Sequence, residues 1–164
     1  MHSGQFNGRK IVIIGRPLSG KTTYARSLSE KLSIPHFDID DIYWGNGWIR
    51  AEAEDFNTRI DSVLAGCEWI ISGNYVSSLR KRVEMSTDVI LLDCNVFTAC
   101  FRYFSRIIKR MKGRERHSAY DYWFNEIRHS FFFKKVLFYN LTQKNTELRL
   151  LKYKYKQKFH LLNR

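Results

Sequence analysis

The sequence lacks any apolar run approaching the roughly 20 residues that span a bilayer, and no secretory leader pattern precedes its first apolar segment. Both absences point to a cytoplasmic protein. Internal repeats, low-complexity stretches and long linkers are also missing. The 164 residues therefore suit a single domain, 1–164. Cysteine is scarce: Cys67, Cys94 and Cys100 are odd in number and unevenly spaced. That pattern reads as buried thiols in a reducing compartment, not as a disulfide framework. With no Cys-x-x-Cys and no Cys/His cluster, nothing suggests a metal site of that kind. Acidic residues are scarce in one half only. Residues 1–93 carry 11 Lys and Arg against 12 Asp and Glu, whereas 94–164 carry 17 against 4. A basic half points to a polyanionic partner (nucleotide phosphates, nucleic acid or an anionic surface) or to a solvated basic face.

What is present is apolar residues enough for a core, 44% of the chain with 15% aromatics. They fall in short runs that alternate with helical patterns. Lys10–Ile14, Pro35–Ile39, Trp69–Ser72 and Val89–Asp93 read as buried strands, and Leu148–Leu151 as a fifth. Helices are expected over about Gly20–Leu32, Ala51–Leu64, Val96–Met111, Tyr120–Leu141 and Lys156–Leu162, with a Trp/Gly loop at Trp44–Trp48 and a mobile charged connection at Lys112–Ser118. Continuously apolar strands separated by helices imply an α/β fold: a parallel sheet covered on both faces. Ligands of such sheets sit at the carboxyl ends of the strands. Gly15, Asp38, Asp40, Gly73 and Asp93 all fall there.

One segment carries a specific chemistry. Gly15-Arg16-Pro17-Leu18-Ser19-Gly20-Lys21-Thr22 satisfies the pattern G-x-x-x-x-G-K-[ST], with a buried strand before it and a helix after it. Such a loop turns successive N–H groups inward, and with the helix N-terminus they bind phosphate oxygens. Lys21 is expected to reach the β- and γ-phosphates of ATP and the Thr22 hydroxyl to bind Mg²⁺, with Thr23 completing the segment.

Beyond the loop, IVIIGRPLSGKTTYARSLSEKLSIPHFDIDDIYW, WIISGNYVSSLRKR and TDVILLD resemble the bacterial DNA topology modulation proteins, relatives of the adenylate kinases. The resemblance covers about residues 10–116 and returns near 150–162. It implies a P-loop NTPase with a five-stranded parallel sheet in the order 2-3-1-4-5. It also implies a substrate-side region near 40–65 and a short arginine-bearing lid at about 111–120.

The resemblance also nominates site residues. Asp40 matches an acidic residue after the second strand, and Asp38 completes an Asp-x-Asp pattern like that of shikimate kinases. A carboxylate there can orient metal-bound water or accept a substrate proton; Asp caps helices equally well. Gly73, Asn74 and Tyr75 lie on the substrate side, or form a simple turn with a packed Tyr. Arg82 matches an arginine suited to a substrate anion. Ser72 departs from the pattern, because related kinases commonly carry an Asp there that helps hold the Mg²⁺ water shell. Asp93 superficially resembles a metal-binding carboxylate, but its expected role is capping the helix near Val96. Arg102, Arg106 and Arg110 recur every fourth residue and share a helix face; with Arg114 and Arg116 they can surround a transferring phosphoryl group or form a solvated stripe. His36 carries no partner pattern. Phe131–Phe133 and Trp123-Phe124 read as core, and Lys152–Lys156 as a turn beside the adenine or as a nucleic-acid contact.

The combined expectation is a small-molecule or nucleotide kinase that moves the γ-phosphoryl group of ATP to a small polar acceptor, with Lys21, Asp40, Arg106 and Arg110 as its catalytic set. The alternatives are an ATP-dependent regulator that binds DNA and a slow NTPase without an acceptor.

Overall fold

The computed structural model describes residues 8–44, 51–111 and 146–163. In chain order the elements are β1 (Lys10–Gly15), α1 (Lys21–Leu32), β2 (His36–Asp38), α2 (Ile39–Tyr43), α3 (Ala53–Leu64), β3 (Trp69–Ser72), α4 (Leu79–Met85), β4 (Asp88–Asp93), α5 (Val96–Met111), α6 (Thr146–Lys154) and β5 (Phe159–Asn163). The five strands pair in parallel in the order β2-β3-β1-β4-β5. Parallel neighbours need crossover connections, and the helices between them cover the sheet on both faces.

Strand side chains alternate between faces, and the two faces are filled by different helices. Ile11 and Ile13, with Ile70 and Ile90, pack against Ala25 and Leu28 of α1. Val12, Ile14, Ile71, Val89 and Leu91 point the other way, to Phe56, Ile60 and Leu64 of α3, Leu79 and Val83 of α4, and Leu148 and Leu151 of α6. Each fully buried Ile or Leu contributes on the order of 2 kcal/mol. The register Ile13↔Ser72 and Asp38↔Ser72 aligns the ends of β1, β2 and β3, so their carboxyl termini form one rim.

Several expectations are corrected. Leu148–Leu151 is helical, not a strand. Leu148 and Leu151 lie three residues apart and bury the same helix face, and a four-residue apolar run does not by its period tell the two states apart. The last strand is instead Phe159–Asn163, overlapping the segment expected as the closing helix; it follows a 3₁₀ turn at Lys156–Lys158 and pairs with β4 from Val89↔Phe159 to Asp93↔Asn163. β2 stops at Asp38 because that side chain caps α2, accepting from the Asp40 N–H at 3.1 Å. Two short helices, α2 and α4, join the expected ones. Cys67 is exposed rather than buried, since it falls in the turn between α3 and β3; Cys94 is buried and Cys100 half-buried. The helix expected over 120–141, the connection 112–118, the lid and most of the Trp/Gly loop lie outside the described residues.

α5 is amphipathic in an unusual sense. Ala99 and Tyr103 are buried, while Phe97, Phe101, Phe104 and Ile108 are exposed on another face.

Candidate functional site

The rim at the carboxyl ends of β1, β2, β3 and β4 is where the nominated residues meet. Gly15 ends β1 with no room for a side chain: a Cβ there would lie 1.9 Å from the Leu92 carbonyl oxygen of the adjacent strand. The chain then curls into α1. Leu18 takes a left-handed backbone (φ 64°), at a cost of roughly 1–2 kcal/mol for a non-glycine residue. Two contacts offset it: the Leu18 side chain packs beside Cys94 and Ala99, and its carbonyl accepts from Arg102 Nη1 at 3.1 Å.

Lys21 opens α1 and folds back over the loop. Its Nζ donates to the carbonyls of Arg16 (2.8 Å) and Gly15 (3.2 Å), so the ammonium group is seated by the loop it belongs to. Thr22 Oγ1 donates to Asp38 Oδ2 at 2.8 Å. A hydroxyl that spends its proton on a carboxylate turns its lone pairs elsewhere, which is the state a cation ligand requires. The other Asp38 oxygen caps α2. Asp38 thus does both things open to it at the sequence level: it caps a helix and it joins β2 to the loop. Asp40 lies in the first turn of α2 and is exposed, as is Asp41. Thr23 is exposed on α1.

Asn74 is committed to the loop. Its Oδ1 accepts from the Gly15 N–H at 3.0 Å and its Nδ2 donates to the Gly15 carbonyl at 2.6 Å. The preceding Gly73 has φ 131°, and a Cβ there would lie 1.9 Å from Ile39 Cγ2. Tyr75 packs at a tilt of 42° against both Tyr43 (ring centroids 4.3 Å) and Phe56 (5.8 Å), the packed role.

Arg82 requires a correction. It is fully buried, and its guanidinium donates to Ser78 Oγ, the Gly73 carbonyl and the Tyr75 carbonyl. Burial pushes it down to about 10, so it is still charged at neutral pH. Instead of meeting a substrate anion, it holds the Gly73–Tyr75 turn in place from beneath. Asp93 also departs from expectation: Oδ1 accepts from Arg16 Nε (2.9 Å) and the Cys94 N–H (2.8 Å). The first turn of α5 is capped by Asn95, whose Oδ1 accepts from the Phe97 N–H at 3.0 Å.

Two residues outside the expected catalytic set belong to this rim. Arg102, which shares a helix face with Arg106 and Arg110, reaches the loop with its guanidinium; for Arg106 and Arg110 the backbone of α5 is described and the side chains are not. His36 Nε2 lies 2.9 Å from Ser72 Oγ. The strand period could have revealed this pair, since His36 and Asp38 lie two apart on one face and β2 pairs with β3. Ser72, where a carboxylate was expected, is buried and hydrogen-bonded to an imidazole. Burial pushes His36 below its usual range, helped by Arg26 and opposed by Asp38 and Asp41.

The loop fits a phosphate group. The α1 N-terminus carries no side-chain cap and no acidic residue in its first turn, and the buried Ser19 hydroxyl in the loop has no hydrogen-bond partner among the described residues. A buried hydroxyl without a partner is costly unless a ligand supplies one. The residues that would hold Mg²⁺ with it start from Thr22. Among the described residues no three His, Cys, Asp or Glu side chains gather into a metal site of their own, and no helix is long and apolar enough to cross a membrane.

The strand order and the loop define a P-loop NTPase fold, a five-stranded parallel sheet flanked by helices. No protein-family profile matches the chain, and no curated protein does. Among solved structures it is similar to a sugar kinase from Janibacter (18% identity, 94% of this chain and 84% of that one, TM-score 0.49). It is also similar to a gluconokinase from Sinorhizobium meliloti (14%, 98% and 84%, TM-score 0.49). A third is the shikimate kinase from Acinetobacter baumannii, solved with shikimate (20%, 90% and 90%, TM-score 0.45).

Proposed function

We propose that this chain is a P-loop phosphotransferase that uses ATP with Mg²⁺ and moves the γ-phosphoryl group to a small polar acceptor. The observation that carries the reading is the Thr22–Asp38 hydrogen bond beside a lysine seated on its own loop carbonyls. In this reading the loop N–H groups and Lys21 bind the β- and γ-phosphates, and Asp38 keeps the Thr22 oxygen turned toward the metal. Mg²⁺, when bound, would neutralise charge across the same phosphates. Asp40, exposed in the first turn of α2, accepts the proton of the attacking hydroxyl. Arg106 and Arg110, one and two turns beyond Arg102 on α5, supply positive charge for the transferring group. Tight docking of the acceptor then uses the rim around Gly73–Tyr75.

A coupled phosphate-transfer screen over sugars, nucleosides and nucleotides tests this. Turnover with one acceptor class, abolished in Lys21→Ala, is the expected result; tight ATP binding without turnover on any acceptor counts against it. A second reading, a slow NTPase with no acceptor, draws on Ser72 being tied to His36 where a metal-shell carboxylate was expected. It requires phosphate release from ATP alone, lost in Lys21→Ala. The motif resemblance to the topology modulation proteins adds a DNA-binding regulator, for which steeply salt-dependent DNA binding is the criterion.

A further inference from the structure

The loop holds an arginine at a position that the motif leaves open, and that arginine is not aimed at solvent. Arg16 Nε donates to Asp93 Oδ1 at 2.9 Å, and the Arg16 side chain is only 13% exposed. The same residue serves the loop at three other points. Its N–H donates to the Leu92 carbonyl at 3.2 Å, stitching the loop to β4, and its carbonyl receives Lys21 Nζ and the Ser19 N–H. Pro17 follows, which disfavours a helical backbone at Arg16 and narrows the ways that carbonyl can turn. On the other side of the ion pair, Asp93 is fixed by the Cys94 N–H. Arg16, Lys21 and Arg102 all act on the neighbouring Cys94 thiol, so these cations and the Asp93 carboxylate share one small region.

An acidic group in that region opposes the binding of a triphosphate. Left unpaired, the part-exposed Asp93 carboxylate would repel the ligand, most strongly at low salt. The ion pair cancels that field. It also holds the residue whose carbonyl seats the catalytic lysine.

We propose that Arg16 is a positioning residue: its side chain neutralises and anchors Asp93 beside the phosphate loop, while its carbonyl fixes Lys21, and the guanidinium itself is not a phosphate ligand. This rests on the nucleotide-binding reading above. It assigns the loop's extra arginine to an internal partner, and it gives Asp93 a part in nucleotide affinity without metal contact.

The test is calorimetric titration of ATP with Mg²⁺ into the wild-type chain and into Arg16→Gln, Arg16→Gln/Asp93→Asn, Arg16→Lys and Lys21→Ala, with thermal unfolding run alongside. Arg16→Gln is expected to bind about tenfold more weakly at low salt, with the gap narrowing as salt is added. Removing the Asp93 charge in the double variant is expected to restore most of that loss, and Arg16→Lys, which keeps a cation against Asp93, to bind within about threefold of wild type. The idea is overturned if Arg16→Gln binds as wild type does. It is equally overturned if the double variant remains as weak as Arg16→Gln, because the arginine would then have touched phosphate directly. Should Arg16→Gln fail to fold, Arg16→Lys decides: a loss of tenfold or more there refutes the charge-neutralising role. Binding lost only in Lys21→Ala, with all Arg16 variants unchanged, sinks the Arg16 role and leaves the nucleotide reading standing. Equal binding by wild type and Lys21→Ala removes the nucleotide reading, and this proposal with it.

Discussion

Replacing Arg82 with methionine sets two large terms against each other. The guanidinium is fully buried, and its contacts are to neutral groups: Ser78 Oγ at 3.1 Å, the Gly73 carbonyl at 3.0 Å and the Tyr75 carbonyl at 2.6 Å. Burial lowers its pKa to about 10, which corresponds to roughly 3 kcal/mol against the charged form. Three hydrogen bonds from a charged donor return about 2 kcal/mol each. The balance favours the arginine by roughly 3 kcal/mol. Arg82→Met keeps much of the volume and removes the buried charge, but it leaves two carbonyls dry. The expected net loss is about 3 kcal/mol, or a fall in Tm of about 10 °C for a chain of this size. Arg82→Ala adds a cavity and is expected to lose about 4–5 kcal/mol. Urea and thermal unfolding followed by circular dichroism measure both. If Arg82→Met unfolds at the wild-type temperature while only the KM for an acceptor rises, the guanidinium is available to a ligand, and the argument from burial is refuted.

Gly73→Ala forces a Cβ to within 1.9 Å of Ile39 Cγ2 on a backbone at φ 131°; a loss of about 3 kcal/mol or more is expected in chemical denaturation, and a change under 1 kcal/mol contradicts the packing. His36 has its pKa lowered in the folded chain, mainly by burial. The unfolded chain therefore binds the proton more readily. Stability is complete above the unfolded value near 6.5 and falls as pH drops from there through the folded pKa. His36→Gln, which can still bond Ser72, is expected to flatten that slope between pH 7 and 5, and an unchanged slope assigns it to other groups. Asp38→Ala removes both the acceptor of the Thr22 hydroxyl and the cap of α2; the Mg²⁺ concentration for half-maximal nucleotide binding is expected to rise several-fold, with about 1 kcal/mol of stability lost to the missing cap. An unaltered Mg²⁺ requirement would separate Asp38 from the metal's surroundings.

Much of this could be read from the residues in order. The loop Gly15–Thr22 is legible because a phosphate cradle is local: eight consecutive residues set the curl, the lysine and the hydroxyl. Four strands and three helices were legible because burial on a two-faced sheet leaves period and length in the sequence. The closing segment was not. Leu148–Leu151 is too short for its period to tell strand from helix, and Phe159–Asn163 becomes a strand because β4 has an unfilled edge to pair with. Side-chain assignments failed where a residue's partner comes from another element. Arg82 had the look of a ligand until the turn Gly73–Tyr75 was folded over it. Asp93 had the look of a helix cap until Arg16 came within 2.9 Å.

The sequence by itself therefore determined that the chain has a loop of the phosphate-cradle pattern, a parallel sheet to mount it on, and a basic second half. Only the tertiary structure decided which charges face that loop. Lys21, Thr22 and Asp38 converge there because parallel strands end at one rim; Arg102 arrives from α5, Arg82 is drawn beneath the Gly73–Tyr75 turn, and His36 meets Ser72 across the β2–β3 pair. The reason is physical. A backbone conformation is set by near neighbours along the chain, whereas a charge or a hydroxyl takes whatever partner three-dimensional packing brings within about 3 Å of it.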